Sequence, residues 1–241
     1  MRHCEQNELT EIQCKVSAHF ILPAGGVGAR MGQQIPKQYI EIKGKPILAY
    51  TLQAVEPYAE SVVIAAANEY IPLCEEIARI FVPNLSVSVV EGGETRFHSI
   101  RNALKKLPQK GALIAIHDSV RPLVSRTVIE RCLISLTQSN DTKAIAPYKE
   151  ETDSLRLCQG DSFSFLDRSR VVRISTPQCF RSDFVQKAYS QPYKTSFTDD
   201  LSVYEALFGE QFILIRDNDE NIKITTPIDL KILEFYLSYN K

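Results

Sequence analysis

The sequence lacks long apolar runs, an excess of either charge and the apolar core of a signal peptide. No apolar run approaches the roughly 18 residues that a membrane-spanning helix needs. Lysine plus arginine number 28 and aspartate plus glutamate 29, a net charge of −1 that predicts neither a nucleic-acid nor a membrane partner. Residues 1–17 are polar, and we expect them to form a flexible N-terminal extension.

Cysteine motifs of metal-binding or redox sites are also missing. The six cysteines, at positions 4, 14, 74, 132, 158 and 179, form no Cys-x-x-Cys pair, and no histidine lies at zinc-finger spacing from them. This scatter argues against metal or redox chemistry at the thiols. It favours reduced cysteines and a cytoplasmic location.

Three catalytic signatures are absent as well. The chain contains no Gly-x-x-x-x-Gly-Lys-Ser/Thr loop, no Gly-x-Ser-x-Gly elbow and no His-Glu-x-x-His pair. These absences exclude a Walker-type nucleotide site and remove the usual indications of a hydrolase.

A glycine-rich segment after the first apolar run is the most informative feature that is present. Gly25, Gly26 and Gly28 allow backbone N–H groups to approach an anion, because no side chain stands in the way. Arg30 and Lys37 add two cations beside that loop. The segment predicts an enzyme that acts on a nucleotide, although the glycines alone also fit a tight strand-to-helix turn.

A dinucleotide-binding fold is the rival interpretation of this loop, since its fingerprint also places glycines directly after a strand. That fold continues from the glycines into a long helix. Here Gly32 weakens a helix and Pro36 favours extended backbone before it, so we expect the loop to stay irregular as far as Lys37.

Apolar strand-like runs alternate with helical periodicity along most of the chain. Strands are predicted at 20–22, 61–66, 86–90, 113–117, 143–147 and 211–216, and helices at 47–55, 70–81, 98–107, 125–136, 182–190, 201–208 and 227–239. This alternation predicts an α/β fold, an open, mostly parallel, Rossmann-like sheet with helices on both faces. We expect one domain over 18–241.

The alternation breaks between residues 148 and 176. Two strands, 154–158 and 171–175, are predicted there on either side of a polar turn at 159–162. We expect them to form a β-hairpin arm that extends from the main sheet.

Polar residues follow several of the predicted strands, where ligands of open α/β sheets bind. Glu94 and Ser99 are placed to hydrogen-bond a base, although Gly92-Gly93 also fits an ordinary turn with Thr95 as helix cap. Asp118 suits Mg²⁺ or a ribose hydroxyl, or it caps the next helix. The role of His117 stays open.

Cations outnumber convincing general bases among these candidates. Arg30, Lys37, Arg121, Arg168 and Lys223 lie in or near the loops that follow strands. Such a set is typical of phosphoryl or nucleotidyl transfer, in which positioning and charge stabilisation dominate.

Six segments carry motifs in a characteristic order, at residues 23–38, 92–99, 117–122, 176–178, 198–200 and 221–227. With these segments the chain resembles the 2-C-methyl-D-erythritol 4-phosphate cytidylyltransferases of the non-mevalonate isoprenoid pathway. The resemblance extends over about residues 20–239, nearly the whole chain.

The resemblance implies roles for individual residues. It implies catalytic cations at Arg30, Lys37, Arg168 and Lys223, with the first two on the CTP triphosphate. It implies nucleotide binding by Ala24, Gly25, Gly26, Gly28, Gly92, Glu94, Ser99 and Asp118, with Asp118 also as the metal residue. It implies binding of the second substrate by Ser119, Arg121, Asp153, Ser154, Thr176 and Thr198.

The resemblance also implies a reaction and an assembly. The reaction is transfer of the cytidylyl group of CTP to methylerythritol phosphate with Mg²⁺ as cofactor, releasing pyrophosphate. The assembly is a homodimer in which the arm, about 148–176, crosses to the neighbouring subunit and brings Arg168 to its active site.

Three alternatives remain open at the level of sequence. A ribitol 5-phosphate cytidylyltransferase shares the glycine loop and the Thr-Pro-Gln motif. A non-catalytic nucleotide-binding protein is a second alternative, but it predicts the loss of cations that are all present here. A nicotinamide-dependent reductase is a third, and the position of its Tyr-x-x-x-Lys spacing, Tyr39 to Lys43, argues against it.

Overall fold

The computed structural model describes residues 16–26 and 35–239. The strands are β1 (Ala18–Ala24), β2 (Glu41–Ile42), β3 (Lys45–Pro46), β4 (Ala59–Ala66), β5 (Val87–Glu91), β6 (Leu113–Ile116), β7 (Ala144–Glu150), β8 (Leu155–Gln159), β9 (Ser162–Leu166), β10 (Val172–Ile174), β11 (Gln178–Arg181) and β12 (Ile213–Arg216). The helices are α1 (Ile47–Val55), α2 (Ile71–Phe81), α3 (Arg96–Leu104), α4 (Arg126–Gln138), α5 (Ser182–Ala188), α6 (Asp200–Phe208) and α7 (Pro227–Tyr239).

Eight strands form the central sheet, in the order β10-β7-β11-β6-β1-β4-β5, with β12 paired to β7. The pairs β6–β1, β1–β4, β4–β5 and β7–β12 are parallel, whereas β10 and β11 run antiparallel to their neighbours. The predicted open, mostly parallel sheet is therefore confirmed, with an antiparallel insertion at β11.

Both faces of the sheet are covered, as continuous apolar strands require. Along β1, Phe20 and Leu22 point into a core with residues of α1, α2 and α4, whereas Ile21 points into a second core with residues of α3, α5 and α6. This alternation follows from the period of two along a strand. It confirms helices on both faces of the sheet.

The predicted pairing within the arm was wrong. The segment 155–159 pairs with Ser162–Leu166, not with residues 171–175, and the two form an antiparallel ribbon. The strand at 172–174 instead returns to the main sheet beside β7. The alternating Ser-Phe-Ser-Phe sequence of β9 is a period-two strand pattern that supplies the partner.

Strand β11 was missed because it contains only four residues and directly precedes a helix. It separates β6 from β7 and places the segment 175–177 at the edge of the sheet where β6 ends. Among the helices of the described residues, none has the length and apolar character needed to cross a membrane.

Three parts of the chain lie outside the described residues: 1–15, 27–34 and 240–241. The expectations for Gly28 and Arg30 fall in the second of these parts, and most of the predicted N-terminal extension falls in the first. At the boundary, the Ser17 hydroxyl donates a hydrogen bond to Glu60 at 2.7 Å.

Candidate active site

A cavity of about 320 Å³ opens at the edge of the sheet where the parallel strands end. It is lined by Pro23, Gly25, Gly26, Lys37, Gln38, Gly93, Glu94, Thr95, Arg96, Ser99, Asp118, Ser119, Val120 and Lys223. The sequence motifs at 23–38, 92–99, 117–122 and 221–227 therefore meet in one place, as the position rule for open α/β sheets predicts.

The end of β1 is held in place by a buried side chain that follows the glycine segment. Gln38 lies in a 3-10 turn at Lys37–Tyr39, and its amide donates hydrogen bonds to the carbonyls of Ala24 (2.5 Å) and Gly26 (3.2 Å). Lys37 precedes it and lines the cavity. The sequence analysis did not single out Gln38, although its position in Pro-Lys-Gln was visible.

The turn between β5 and α3 forms a second wall of the cavity. The N–H of Gly93 donates to the Ser99 hydroxyl (3.0 Å), which in turn donates to the Thr95 carbonyl (3.0 Å). A Cβ on Gly93 would lie 2.4 Å from the Cβ of His98, so this position requires glycine. Thr95 caps α3, as expected if Gly92-Gly93 form an ordinary strand-to-helix turn, and the same turn also lines the cavity.

Glu94 is exposed at this turn and lines the cavity, whereas Gly92 lies behind it. The N–H of Gly92 donates to the carbonyl of Ala66 at the end of β4 (2.7 Å). The Ser99 hydroxyl makes its contacts within the turn, so in this structure it sets the shape of the turn.

Asp118 is the centre of the charged part of the site. Its Oδ2 lies 2.9 Å from Nε of Arg121 and 3.1 Å from Nζ of Lys223. Burial would raise the pKa of Asp118, but Lys223, Arg96 and Arg121 outweigh it and hold that pKa well below its usual value. Asp118 is therefore ionised at neutral pH, and it does not cap α4, whose cap is Ser125.

A buried histidine and threonine fix the backbone on both sides of Asp118. Nε2 of His117 donates to the Arg121 carbonyl at 3.0 Å, so Nδ1 is the acceptor for the Thr176 hydroxyl at 2.9 Å. The same hydroxyl accepts the N–H of Asp118 at 3.1 Å. Burial lowers the pKa of His117 to about 4, which leaves it neutral and in one tautomer. These contacts indicate a positioning role for His117.

Ser119 and Thr176 belong to this supporting layer. The Ser119 hydroxyl donates to the Pro23 carbonyl at 2.7 Å and ties the end of β1 to the loop after β6. Thr176 is buried and lies behind the cavity lining.

The segment that carries Lys223 is held by a polar network that sequence reasoning missed. The Asn221 amide donates to the Thr176 carbonyl (2.9 Å) and to the buried Asp217 carboxylate (3.0 Å). The Asn221 carbonyl accepts from Arg121 (3.0 Å) and Lys149 (3.1 Å). No spacing rule connects residues so far apart in the chain, so only the fold reveals the network.

Four predicted site residues lie away from the cavity of their own chain. Asp153, Ser154 and Arg168 are exposed at the base of the arm, where Arg168 donates to the Thr152 carbonyl. Thr198 is exposed in the loop before α6, and its N–H donates to Ser202.

Comparison with known proteins identifies the family. The model of the 2-C-methyl-D-erythritol 4-phosphate cytidylyltransferase family matches residues 18–239. A protein of that name from Porphyromonas gingivalis is 42% identical over 224 residues, which cover 93% of this chain and 99% of that protein. The chain belongs to this cytidylyltransferase family.

Solved structures agree with the cytidylyltransferase fold. The 4-diphosphocytidyl-2C-methyl-D-erythritol synthase of Anaerococcus prevotii superimposes with a TM-score of 0.77 at 24% identity, covering 93% of this chain and 99% of that one. The Francisella tularensis 2-C-methyl-D-erythritol 4-phosphate cytidylyltransferase gives 0.73 at 27% identity, with coverage of 93% and 100%. The shared fold of the cytidylyltransferases thus includes the sheet whose edge carries the cavity.

Proposed function

We propose that the protein transfers the cytidylyl group of CTP to 2-C-methyl-D-erythritol 4-phosphate, forming 4-diphosphocytidyl-2-C-methyl-D-erythritol and pyrophosphate. Family membership supports this reaction over the ribitol 5-phosphate alternative. The observation that carries the proposal is a cavity whose lining combines Gly25, Gly26 and Gly93 with Asp118 and the cations Lys37, Arg96 and Lys223.

The site geometry suits a reaction that needs charge stabilisation and no general base. The nucleophile is a phosphate oxygen of the acceptor, which is already ionised at neutral pH. The obstacle is repulsion, because two like charges about 4 Å apart cost about 4 kcal/mol at an effective dielectric constant near 20. In this proposal Lys37, which lines the cavity with Gly25 and Gly26, and Lys223 beside Asp118 offset this repulsion and align the two substrates.

The division of the cavity gives each wall a role. In this proposal the turn at 92–95 with Glu94 contacts the cytosine base, and the backbone of Gly25 and Gly26 contacts the triphosphate; all of these residues except Gly92 line the cavity. Lys223 and Asp118 form the opposite wall, with Arg121 behind it on the Asp118 carboxylate, and in this proposal the acceptor phosphate lies against that wall.

Mg²⁺ is the cofactor in this proposal. The residues fit it in one respect: Arg121 and Lys223 both contact Oδ2 of Asp118, and Oδ1 makes no hydrogen bond with any described residue. A single carboxylate is enough, because Mg²⁺ in nucleotide sites takes its remaining ligands from phosphate oxygens and water. When bound, the ion would neutralise phosphate charge and stabilise the leaving pyrophosphate.

A homodimer with exchanged arms is the assembly in this proposal. Phe163 and Phe165 on β9 are 70% and 75% exposed, and Leu157 on β8 is 46% exposed. Apolar side chains exposed on a protruding hairpin are typical of an interaction surface. We place the enzyme in the cytoplasm, in keeping with the four cysteines of the described residues, which are all free.

Complementation tests the exchange of arms. Arg168→Ala and Lys223→Ala chains are expected to be inactive alone, and to regain activity when mixed and allowed to exchange subunits. In a mixed dimer with exchanged arms, one site has both its own Lys223 and the Arg168 of the other chain. Failure of the exchanged mixture to regain activity would refute action of Arg168 in the neighbouring site.

The function itself is tested by pyrophosphate release from CTP and Mg²⁺, with methylerythritol 4-phosphate and ribitol 5-phosphate compared as acceptors. We expect a strong preference for the former and no release after chelation of the metal. Preference for ribitol 5-phosphate would support cytidylyl transfer but would show that the acceptor is ribitol 5-phosphate. CTP binding without release in the presence of either acceptor would support the non-catalytic alternative.

A further inference from the structure

An ion pair with a buried carboxylate joins the turn after β5 to the loop before α6, two segments that are far apart in the sequence. Nη1 and Nη2 of Arg96 donate to Oδ1 and Oδ2 of Asp200, both at 2.6 Å. Asp200 is fully buried, and the Tyr189 hydroxyl donates to its Oδ1 at 2.5 Å. The Arg96 side chain remains 30% exposed, and Arg96 lines the cavity.

The position of Arg96 in its helix breaks a local rule. It is the first residue of α3, where the positive end of the helix dipole disfavours a cation, and the first turn contains no acidic residue. Asp200, at the first position of α6, supplies the compensating charge from another element. A charged residue that is unfavourable for its own helix, and is compensated by a residue of a distant element, is a candidate for a functional role.

Stability alone is a weak explanation for such a pair. Removing the Asp200 carboxylate and much of the Arg96 side chain from water is costly, and well-packed apolar residues often stabilise a fold as much or more. A two-pronged arginine–carboxylate pair does, however, fix relative orientation, because both hydrogen bonds must be aligned at once.

The pair ties the base-side turn of the cavity to a loop outside the lining, and that loop contacts the strand next to Thr176, whose hydroxyl accepts the N–H of Asp118. Arg96 directly follows the turn with Glu94 and Thr95, the wall placed against the base. Asp200 directly follows Thr198 and Asp199, and the Asp199 carboxylate accepts from the Gln178 amide (2.9 Å) on β11. The bridge therefore connects the turn after β5 to the loop before α6 and, through Gln178, to the strand after Thr176.

We propose that Arg96, held by Asp200 and Tyr189, is a positioning residue that sets the distance between the nucleotide side and the acceptor side of the cavity. This inference rests on the proposed function. If Arg96 has this role, its replacement weakens the binding of both CTP and the acceptor. Replacement of a residue that contacts only one substrate weakens the binding of that substrate alone.

The test compares Arg96→Lys, which keeps the charge and loses the two-pronged contact, with Arg181→Lys as the matched control. The Arg181 guanidinium also holds neighbouring segments together, by donating hydrogen bonds to the carbonyls of Thr142, Leu136 and Ser139. It lies at the end of β11 that is farther from the cavity. KM for CTP, KM for the acceptor, kcat and the melting temperature are measured for each protein.

We expect Arg96→Lys to raise both KM values about fivefold or more and to lower kcat, since small misplacements of reacting groups are costly. Arg181→Lys should lower the melting temperature and leave both KM values within about twofold of wild type, because distant sites act independently. Unchanged KM values in Arg96→Lys, or a change confined to one substrate, would overturn the proposal.

Tyr189→Phe is a second variant that tests the same proposal if Arg96→Lys fails to fold. It removes one hydrogen bond to Asp200 and should raise both KM values in the same direction by a smaller factor; unchanged values would overturn the proposal. Calorimetric binding of CTP and of the acceptor separates the two hypotheses. If the wild type binds both but transfers nothing, the proposed reaction fails, and the two dissociation constants of Arg96→Lys still decide its positioning role.

Discussion

Replacing Lys223 with alanine removes a cation that contacts the Asp118 carboxylate. At 3.1 Å the pair has a gross Coulomb energy of about 5 kcal/mol at an effective dielectric constant near 20. The Lys223 side chain is 42% exposed, so water screens much of this attraction. Arg121 remains 2.9 Å from the same carboxylate oxygen. We therefore expect a loss of unfolding free energy of at most about 1 kcal/mol.

The effect of Lys223→Ala on catalysis should be much larger than the effect on stability. A preorganised cation that offsets the repulsion of two polyanions is comparable to an oxyanion-hole donor, whose loss lowers kcat about 100-fold to 1000-fold. The assay is pyrophosphate release at saturating CTP and acceptor, with urea unfolding in parallel. Lys231→Ala, an exposed lysine on α7, is the matched control and should behave as wild type. Near-wild-type turnover, or a loss of activity that only follows unfolding, would refute the reasoning.

Three further predictions concern the support of the site and its assembly. Folding lowers the pKa of His117 from 6.5 to about 4, so between pH 6.5 and pH 4 only the unfolded chain takes up this proton. The unfolding free energy of the metal-free protein should therefore fall by about 3 kcal/mol in total as the pH is lowered through this range. Urea titrations should show that the unfolding free energy of His117→Gln depends less on pH than that of the wild type. Thr176→Val should cost about 1–3 kcal/mol by leaving the Asp118 N–H and His117 Nδ1 unpaired, and Thr176→Ser should recover most of it; equal stabilities would contradict the network. Phe163→Asp combined with Phe165→Asp should convert a dimer to monomers in light scattering, and an unchanged mass would count against the arm as the interface.

The sequence by itself determined most elements of the fold and the edge of the sheet at which the motifs gather. The helices at 47–55 and 227–239 have the predicted bounds, because helix-period apolar positions recur over several turns. The order of motifs after successive strands predicted that they would meet at one edge of the sheet. That prediction depends on local patterns and on a general rule of open α/β sheets, both of which are readable without coordinates.

Tertiary structure decided the pairing of the short strands and the polar contacts behind the cavity. Residues 155–159 have several apolar segments available as partners, and local pattern does not rank one against another. The short strand β11 gains its stability from its neighbours β6 and β7 and has little signal of its own.

The division of labour among the site residues was likewise decided only by the fold. The Thr176 hydroxyl is occupied by His117 and Asp118, and Arg96 meets Asp200 across 104 positions of sequence. The physical reason is that hydrogen bonds and ion pairs depend on atomic distances and directions, which the packing of the whole sheet and its helices sets. Residue type and spacing identify which side chains gather at the edge of the sheet, and packing selects the partner of each.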